Sequence, residues 1–401
     1  MKKKRLYILA PNDRFNYGDL LFPYILTHYL SRCFDDIVYV STTKSDLSAR
    51  GGVQTESYSS LLHVDDTWEN HLIVAGGESL CVRWYVILSF VKSWVFFLLK
   101  LVRKASRLFG KRTIELFADF IDWFCNVKTY FAFSVGKNEL PQFETIVYNA
   151  LGGTWLLYSD ILEKQRVKKI LSSIDYITVR DNETSLALSK NGIKCSICPD
   201  SAIMMSEVFP EDFLQAHLSL SSSFFNEKYI FFQGNLGTWQ GKFEVAAHQI
   251  EEISQKTNMK IVLCPIGMAL GHSDHIALQH IVRCIYDKTF IHVVKSPNIF
   301  DIMWLIKHSQ IYVGSSLHGV ITAMSFNIPF VSYGGRKQKA YIETWTQNSV
   351  CSYDALVPKV LESLGKQGKD NSNKQKEAVI AHFEVMKSIY KYNPKNGRLI
   401  R

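Results

Sequence analysis

The stretch from Gln310 to Gly335, QIYVGSSLHGVITAMSFNIPFVSYGG, constrains the fold more than any other part of the chain. Its apolar run at 311–313 is strand-length and stops at Gly314-Ser315-Ser316, apolar residues then recur at helical spacing over 317–326, and a second strand follows Pro329. The result is a strand–turn–helix–strand unit whose turn sets Ser315, Ser316 and His318 at a helix N-terminus. Unpaired backbone N–H groups and the positive end of the helix dipole meet there, so the site suits an anion, and His318 stands beside it as a proton donor. A polar residue near a helix cap is the plainer reading of the same histidine.

The rest of the chain repeats this unit. Strands are expected at 6–10, 37–40, 72–75, 129–135, 176–179 and 194–197, then at 229–232, 260–264 and 290–294, with helices between them, including 243–256, 275–286 and 299–307. This alternation predicts an α/β fold of parallel, doubly wound sheets. With 401 residues the chain is long enough for two domains. The Ser-rich stretch 216–226 reads as their linker, dividing residues 1–215 from 227–364, and the polar 365–375 as a flexible connector to a closing helix at 376–390.

The net charge of +9 favours anionic partners. It does not favour nucleic acid, because the excess cations sit among tryptophans and leucines rather than along a polar groove. Eight cysteines are scattered, several within apolar patterns, as expected of a reducing compartment. Cys195 and Cys198 form one CxxC with no second pair, and His272 and His275 form an HxxH with no acidic residue between them, so no metal site is expected. The N-terminal MKKKR precedes an apolar run too short for a signal peptide.

Residues 84–112 differ from their surroundings. Placed on one helix, Lys92, Lys100, Arg103, Lys104, Arg107 and Lys111 share one arc, and Trp84, Phe90, Trp94, Phe97, Leu98 and Leu101 lie opposite. A basic face against a bulky apolar one suits a helix lying in an anionic membrane surface, and a core helix with a solvated edge is the alternative.

Polar clusters fall at the carboxyl ends of the expected strands: Asn16 and Asp19, Arg180 and Asp181, Asp200, Gln233 and Asn235, His272 and Asp274, and Ser315, Ser316 and His318. In open sheets those ends share an edge, and two domains facing each other would line a cleft with them.

Three of these segments carry a resemblance. The NxGD at 16–19, the VRD at 179–181 with the DSA at 200–202, and the GSSLHGxxxAxxxxIP pattern at 314–329 together resemble the polysaccharide pyruvyl transferase family over nearly the whole chain, with 84–112 as an insertion. The resemblance implies two Rossmann-like domains facing each other in a GT-B-like arrangement. It implies phosphoenolpyruvate as co-substrate without a separate cofactor, a saccharide or lipid-linked acceptor, and a pyruvate ketal as product. It also implies a cytoplasmic protein associated peripherally with the inner face of the cell membrane.

On this basis Arg180 pairs bidentately with the donor's carboxylate or phosphate, the plainer alternative being a salt bridge with Asp181 or Asp200 that positions the loop. His318 protonates the methylene or binds phosphate, aided by N–H groups from Ser316 to Gly319, with Ser315 in the same turn. Asp19 or Asp274 takes the acceptor's proton, and Asn16, Asp181, Asp200, Asn235 and His272 support the acceptor side. Many members resembling this chain have Arg where Ser316 stands. Here Lys337, Lys339 or Arg336 is expected to supply that charge. The alternatives are a GT-B glycosyltransferase using a nucleotide sugar and a non-catalytic polysaccharide-binding relative.

Overall fold

A computed structural model describes residues 2–110, 112–220, 227–365, 372–393 and 398–399. Lys111 of the expected basic arc, residues 221–226 of the expected linker and 366–371 of the expected connector lie outside the described residues.

Short apolar runs, largely buried, form the inner strands of two sheets in which nearly every pair is parallel. The first contains β1 (Lys4–Leu9), β2 (Asp36–Ser41), β3 (Ser45–Asp46), β4 (Gln54–Ser57), β5 (Glu69–Ala75), β6 (Thr145–Leu151), β7 (Tyr176–Val179) and β8 (Ser196–Ile197), in the order β3-β4-β2-β1-β5-β6-β7-β8. Only the short β3 runs antiparallel to its neighbour. The second contains β9 (Tyr229–Gln233), β10 (Lys260–Leu263), β11 (Ile291–Val293), β12 (Tyr312–Gly314) and β13 (Phe330–Ser332), in the order β11-β10-β9-β12-β13.

Each sheet starts from an inner strand, winds outward to one side and then resumes on the other. The strand order therefore reverses between β1 and β5 in the first sheet and between β9 and β12 in the second. At such a switch point the loops after two neighbouring strands diverge and leave a crevice. The loops that open there carry Asn16 and Asp19, Gly77 and Glu78, Gln233 and Asn235, and Ser315 to His318.

Helices fill the crossovers. In the first half these are α1 (Phe22–Leu30), α2 (Trp84–Ser89), α3 (Ser93–Phe109), α4 (Arg112–Phe124), α5 (Gln165–Ser172), α6 (Asn182–Lys190), α7 (Met205–Val208) and α8 (Glu211–Ala216). In the second half α9 (Leu236–Trp239), α10 (Phe243–Thr257), α11 (Asp274–Cys284), α12 (Ile299–Lys307), α13 (Leu317–Ser325), α14 (Arg336–Trp345) and α15 (Leu356–Ser363) precede α16 (Ser372–Lys391).

One apolar cluster runs between the halves, joining Leu6, Tyr17 and Phe22 to Phe231, Tyr312 and Leu317. The chain then returns. Phe383 of α16 stacks on Tyr29 at 4.6 Å, and His382 Nε2 lies 3.1 Å from Asn149 Oδ1, so the closing helix belongs to the packing of the first sheet.

Two expectations fail. Residues 129–135 form no ladder beyond an isolated bridge between Arg83 and Phe131, and the strand is instead β6. Phe131, Ala132, Phe133 and Val135 are all buried, but the backbone here bonds to Val82, to the Trp84 indole and to the Tyr148 hydroxyl. A short apolar run signals burial, and burial alone does not distinguish a strand from a loop packed under an insertion.

Residues 84–112 are also not one helix. They divide into α2 and α3, and the apolar pattern continues into α4. Trp84 turns inward, donating from Nε1 to the Thr129 carbonyl at 3.0 Å, and Phe90 packs on His272 with ring centroids 5.1 Å apart.

Candidate active site

The loop after β1 is held from the opposite half. Tyr17 donates its N–H to the Ile266 carbonyl at 3.1 Å, Met268 donates to the Phe15 carbonyl at 3.0 Å, and Asn16 bridges to Gly267. Asn16 Nδ2 then donates to Asp19 Oδ2 at 2.6 Å, while Asp19 Oδ1 lies 3.4 Å from the Gly77 N–H. Asp19 is thus fixed at the junction of the halves.

Across from it runs a buried chain of charge. Arg180, 1% exposed, donates from Nη1 to Asp200 Oδ2 at 2.9 Å and from Nη2 to Glu78 Oε2 at 3.0 Å. Asp200 Oδ2 in turn lies 3.5 Å from His318 Nε2. Burial works to raise the Asp200 pKa, but His318 and Arg180 outweigh it and hold the carboxyl at about 2. These pairings bear out the alternative of a salt bridge to Asp200 and correct the reading of Arg180 as a free fork for a substrate anion. Both of its Nη groups are taken by protein carboxylates, and burial without such partners would be costly.

Three of these groups converge on one spot. A β-carbon built on Gly77 would lie 3.6 Å from Asp19 Oδ1, 3.7 Å from Arg180 Nη1 and 3.8 Å from His318 Cε1.

The second half supplies a network of amides, hydroxyls and one carboxyl. Gln233 accepts from the Ser315 N–H at 2.8 Å and donates to Asp274 Oδ2 at 2.9 Å, and Asn235 donates to the Ser315 hydroxyl while capping α9 through Thr238. Asp274 Oδ2 also accepts from Ile266 and Gly267, so this carboxyl organises the loop after β10 and is not a free base. Burial pushes it up to about 6. His272, half-buried against Phe90 and near the Lys337 charge, is pushed down to about 4, desolvation being the larger cause.

The cleft between the halves encloses about 810 Å³. It gathers Asn16, Asp19, Arg180, Asn235, His272, Asp274, Ser315, Ser316, His318 and Lys337 of the residues singled out from sequence. Four do not line it. Asp181 caps α6 through the Thr184 N–H, Asp200 sits behind Arg180 and His318, and Gly319 turns toward Tyr312 with its N–H 3.4 Å from the Ser316 hydroxyl. Lys339 is exposed beside Glu343 at 3.9 Å. The Gly319 N–H is therefore taken by its own cap, which corrects its expected role at a phosphate.

Five cations line the cleft: Arg14, Arg83, Arg180, Arg336 and Lys337. The four arginines each have a carboxylate within 4 Å, on Asp13, Asp122, Asp200 and Glu183 respectively. Lys337 has none at ion-pair distance among the described residues, and burial followed by the Arg180 charge lowers its pKa. It sits in the first turn of α14, whose N-cap is Gly335 with no side-chain cap.

Sequence reasoning left out Glu78 and the α2 wall. The signal for Glu78 was the Gly76-Gly77 pair at the end of β5, a break that lets the chain turn tightly into the site. Cys195 and Cys198 are both free thiols, and Cys198 is buried.

A family model described as polysaccharide pyruvyl transferase matches residues 16–335. The chain belongs to this family. The transferase is thus a pyruvyl transferase-family enzyme, and its membership implies pyruvyl transfer to a polysaccharide. No curated protein matches it.

Solved structures similar to the transferase share its architecture at low identity. The Methanocaldococcus jannaschii UDP-GlcNAc 2-epimerase in complex with UDP-GlcNAc and UDP is 10% identical with a TM-score of 0.57, over 95% of this chain and 99% of that one. The Neisseria meningitidis UDP-GlcNAc 2-epimerase bound to UDP-GlcNAc is 10% identical at 0.55, over 95% and 100%. The S. aureus MnaA–UDP co-structure is 12% identical at 0.53, over 98% and 99%. These likenesses establish the GT-B-like fold expected from the sequence.

Proposed function

We propose that the transferase moves the pyruvyl group of phosphoenolpyruvate onto two hydroxyls of a sugar in a surface polysaccharide or its lipid-linked precursor, working peripherally at the inner face of the cell membrane. The observation that carries this reading is the cation Lys337, which has no carboxylate at ion-pair distance among the described residues and stands in the cleft that also holds His318 and Asp19. In this reading residues 227–364 present the donor and residues 1–215 the acceptor, with α16 returning to pack on the first half.

Phosphoenolpyruvate carries a phosphate and a carboxylate. Lys337 and the open first turn of α14 hold the phosphate, filling the role expected of the Arg that Ser316 replaces. Asn235, Ser315 and Ser316 offer polar contacts on the same wall. The first sugar hydroxyl adds its oxygen to C2 of the enol while His318 delivers a proton to C3, turning methylene into methyl, and Asp19 takes the hydroxyl's proton. A second hydroxyl then displaces phosphate from the same carbon and returns its proton to His318, while the proton held by Asp19 passes to the departing phosphate, leaving the cyclic ketal. Asp200, ionised behind His318, stabilises the protonated ring, and Arg180 and Glu78 hold Asp200 in place.

Calorimetry tests this. Phosphoenolpyruvate is expected to bind saturably and to weaken in Lys337→Ala. Binding of a UDP-sugar in its place, with no uptake of phosphoenolpyruvate, would overturn the reading in favour of nucleotide-sugar chemistry.

A further inference from the structure

We propose that the α3–α4 hairpin is the surface by which this protein lies in an anionic bilayer, an inference that deepens the membrane location of the reading above and rests on that reading for the identity of the acceptor it brings within reach. Helix α3 presents three faces. Val95 and Leu99 are buried, Phe97 and Leu101 are each 61% exposed, and Lys100, Arg103, Lys104 and Arg107 form the third, cationic face. Helix α4 repeats the apolar display, with Leu116 62% and Trp123 76% exposed. Trp94 meets Phe124 edge-on at 5.3 Å, which joins the two displays into one plateau. A water-soluble surface rarely carries so many large apolar side chains side by side without a partner.

The charge decides which partner. Between residues 92 and 124 there are seven Lys or Arg and three Asp or Glu. A second copy of the chain docked on this face would set like charge against like. An anionic headgroup layer meets the cations while the apolar plateau sinks below it. Among the described residues no helix is long and apolar enough to cross a membrane, so the hairpin lies in the interface plane.

The hairpin is also tied to the cleft. Helix α2 of the same insertion forms one wall through Tyr85 and Val86, joined by Phe90 just past its end, and Gly271 of the facing half packs under the rings of Phe90 and Phe96. Docking at α3–α4 therefore holds the cleft beside the lipid surface, where a lipid-linked sugar can enter.

The test uses the full chain with vesicles of phosphatidylglycerol and phosphatidylethanolamine, against vesicles of phosphatidylcholine alone. Binding is expected only to the anionic vesicles. Phe97→Ser/Leu101→Ser/Trp123→Ser should weaken it by at least about tenfold, and Lys100→Glu/Arg103→Glu/Lys104→Glu/Arg107→Glu by a similar factor. All seven positions are exposed, so both variants should fold, which circular dichroism checks. Brominated lipid should quench tryptophan fluorescence in the parent and much less in Trp94→Phe/Trp123→Phe. Absence of anionic-vesicle binding, or binding that neither variant changes, overturns the proposal, as does a parent dimer that the apolar variant converts to monomer without any vesicle binding. Phosphoenolpyruvate binding, measured on the same variants, is expected to be unchanged and reports on the catalytic reading separately.

Discussion

The ring of His318 packs against Gly18 so closely that a β-carbon on Gly18 would overlap its Cγ and Nδ1 atoms. The two residues come from opposite halves of the chain, and the contact requires glycine at that point of the NxGD loop. Gly18→Ala is expected to push the ring away from Asp200 and the Gly77 crevice. Misplacement of about 1 Å costs on the order of 100-fold in rate. Steady-state kinetics on a variant with an unchanged circular dichroism spectrum checks it, and full activity would detach His318 from the reaction.

Arg180 should matter for stability first. Arg180→Ala leaves Glu78 and Asp200 facing each other without their shared cation, a change that costs about 3–5 kcal/mol in a buried pair. Urea denaturation measures the loss. Arg180→Lys should not restore it, since one ammonium cannot span both carboxylates as the fork does.

Lys337→Ala should raise the KM for phosphoenolpyruvate by at least about tenfold, the scale of one charge-assisted contact. Because burial lowers the Lys337 pKa, the alkaline limb of kcat/KM should fall below the ordinary lysine value of 10.5. Lys337→Arg should carry that limb to higher pH. A limb that ignores the substitution would show that the lysine does not hold the donor.

Two neighbouring groups should oppose each other in mildly acid solution. His272, pushed down to about 4, binds fewer protons folded than unfolded, so its contribution to stability falls as pH drops from about 6.5 to about 4. Asp274, pushed up to about 6, binds more protons folded, so its contribution rises as pH drops from about 6 to about 4. The parent should show a shallow pH dependence there. His272→Gln should become more stable as pH falls across that window and Asp274→Asn less stable, as read from denaturation midpoints.

Much of this protein was legible before folding. Strands separated by helices spelled two parallel sheets, and the polar residues ending them marked which edge would matter, because both patterns are local. Gly314-Ser315-Ser316 followed by an apolar helical run put Ser316 at a helix cap, where its side chain accepts from Gly319. The family's segments were readable for the same reason.

Partnership was not legible. The sequence determined that Arg180, Lys337 and His318 exist and stand at strand ends or helix starts. The tertiary structure decided that Arg180 is shared between Asp200 and Glu78, the second lying 102 residues away, while Lys337 has no carboxylate at ion-pair distance among the described residues. It likewise decided that Trp84 and Phe90 turn inward while Phe97 and Trp123 face out, although all four belong to one apolar pattern. Periodicity fixes which residues share a face of a helix. What that face meets depends on contacts between segments far apart in the chain, and only the packed fold specifies them.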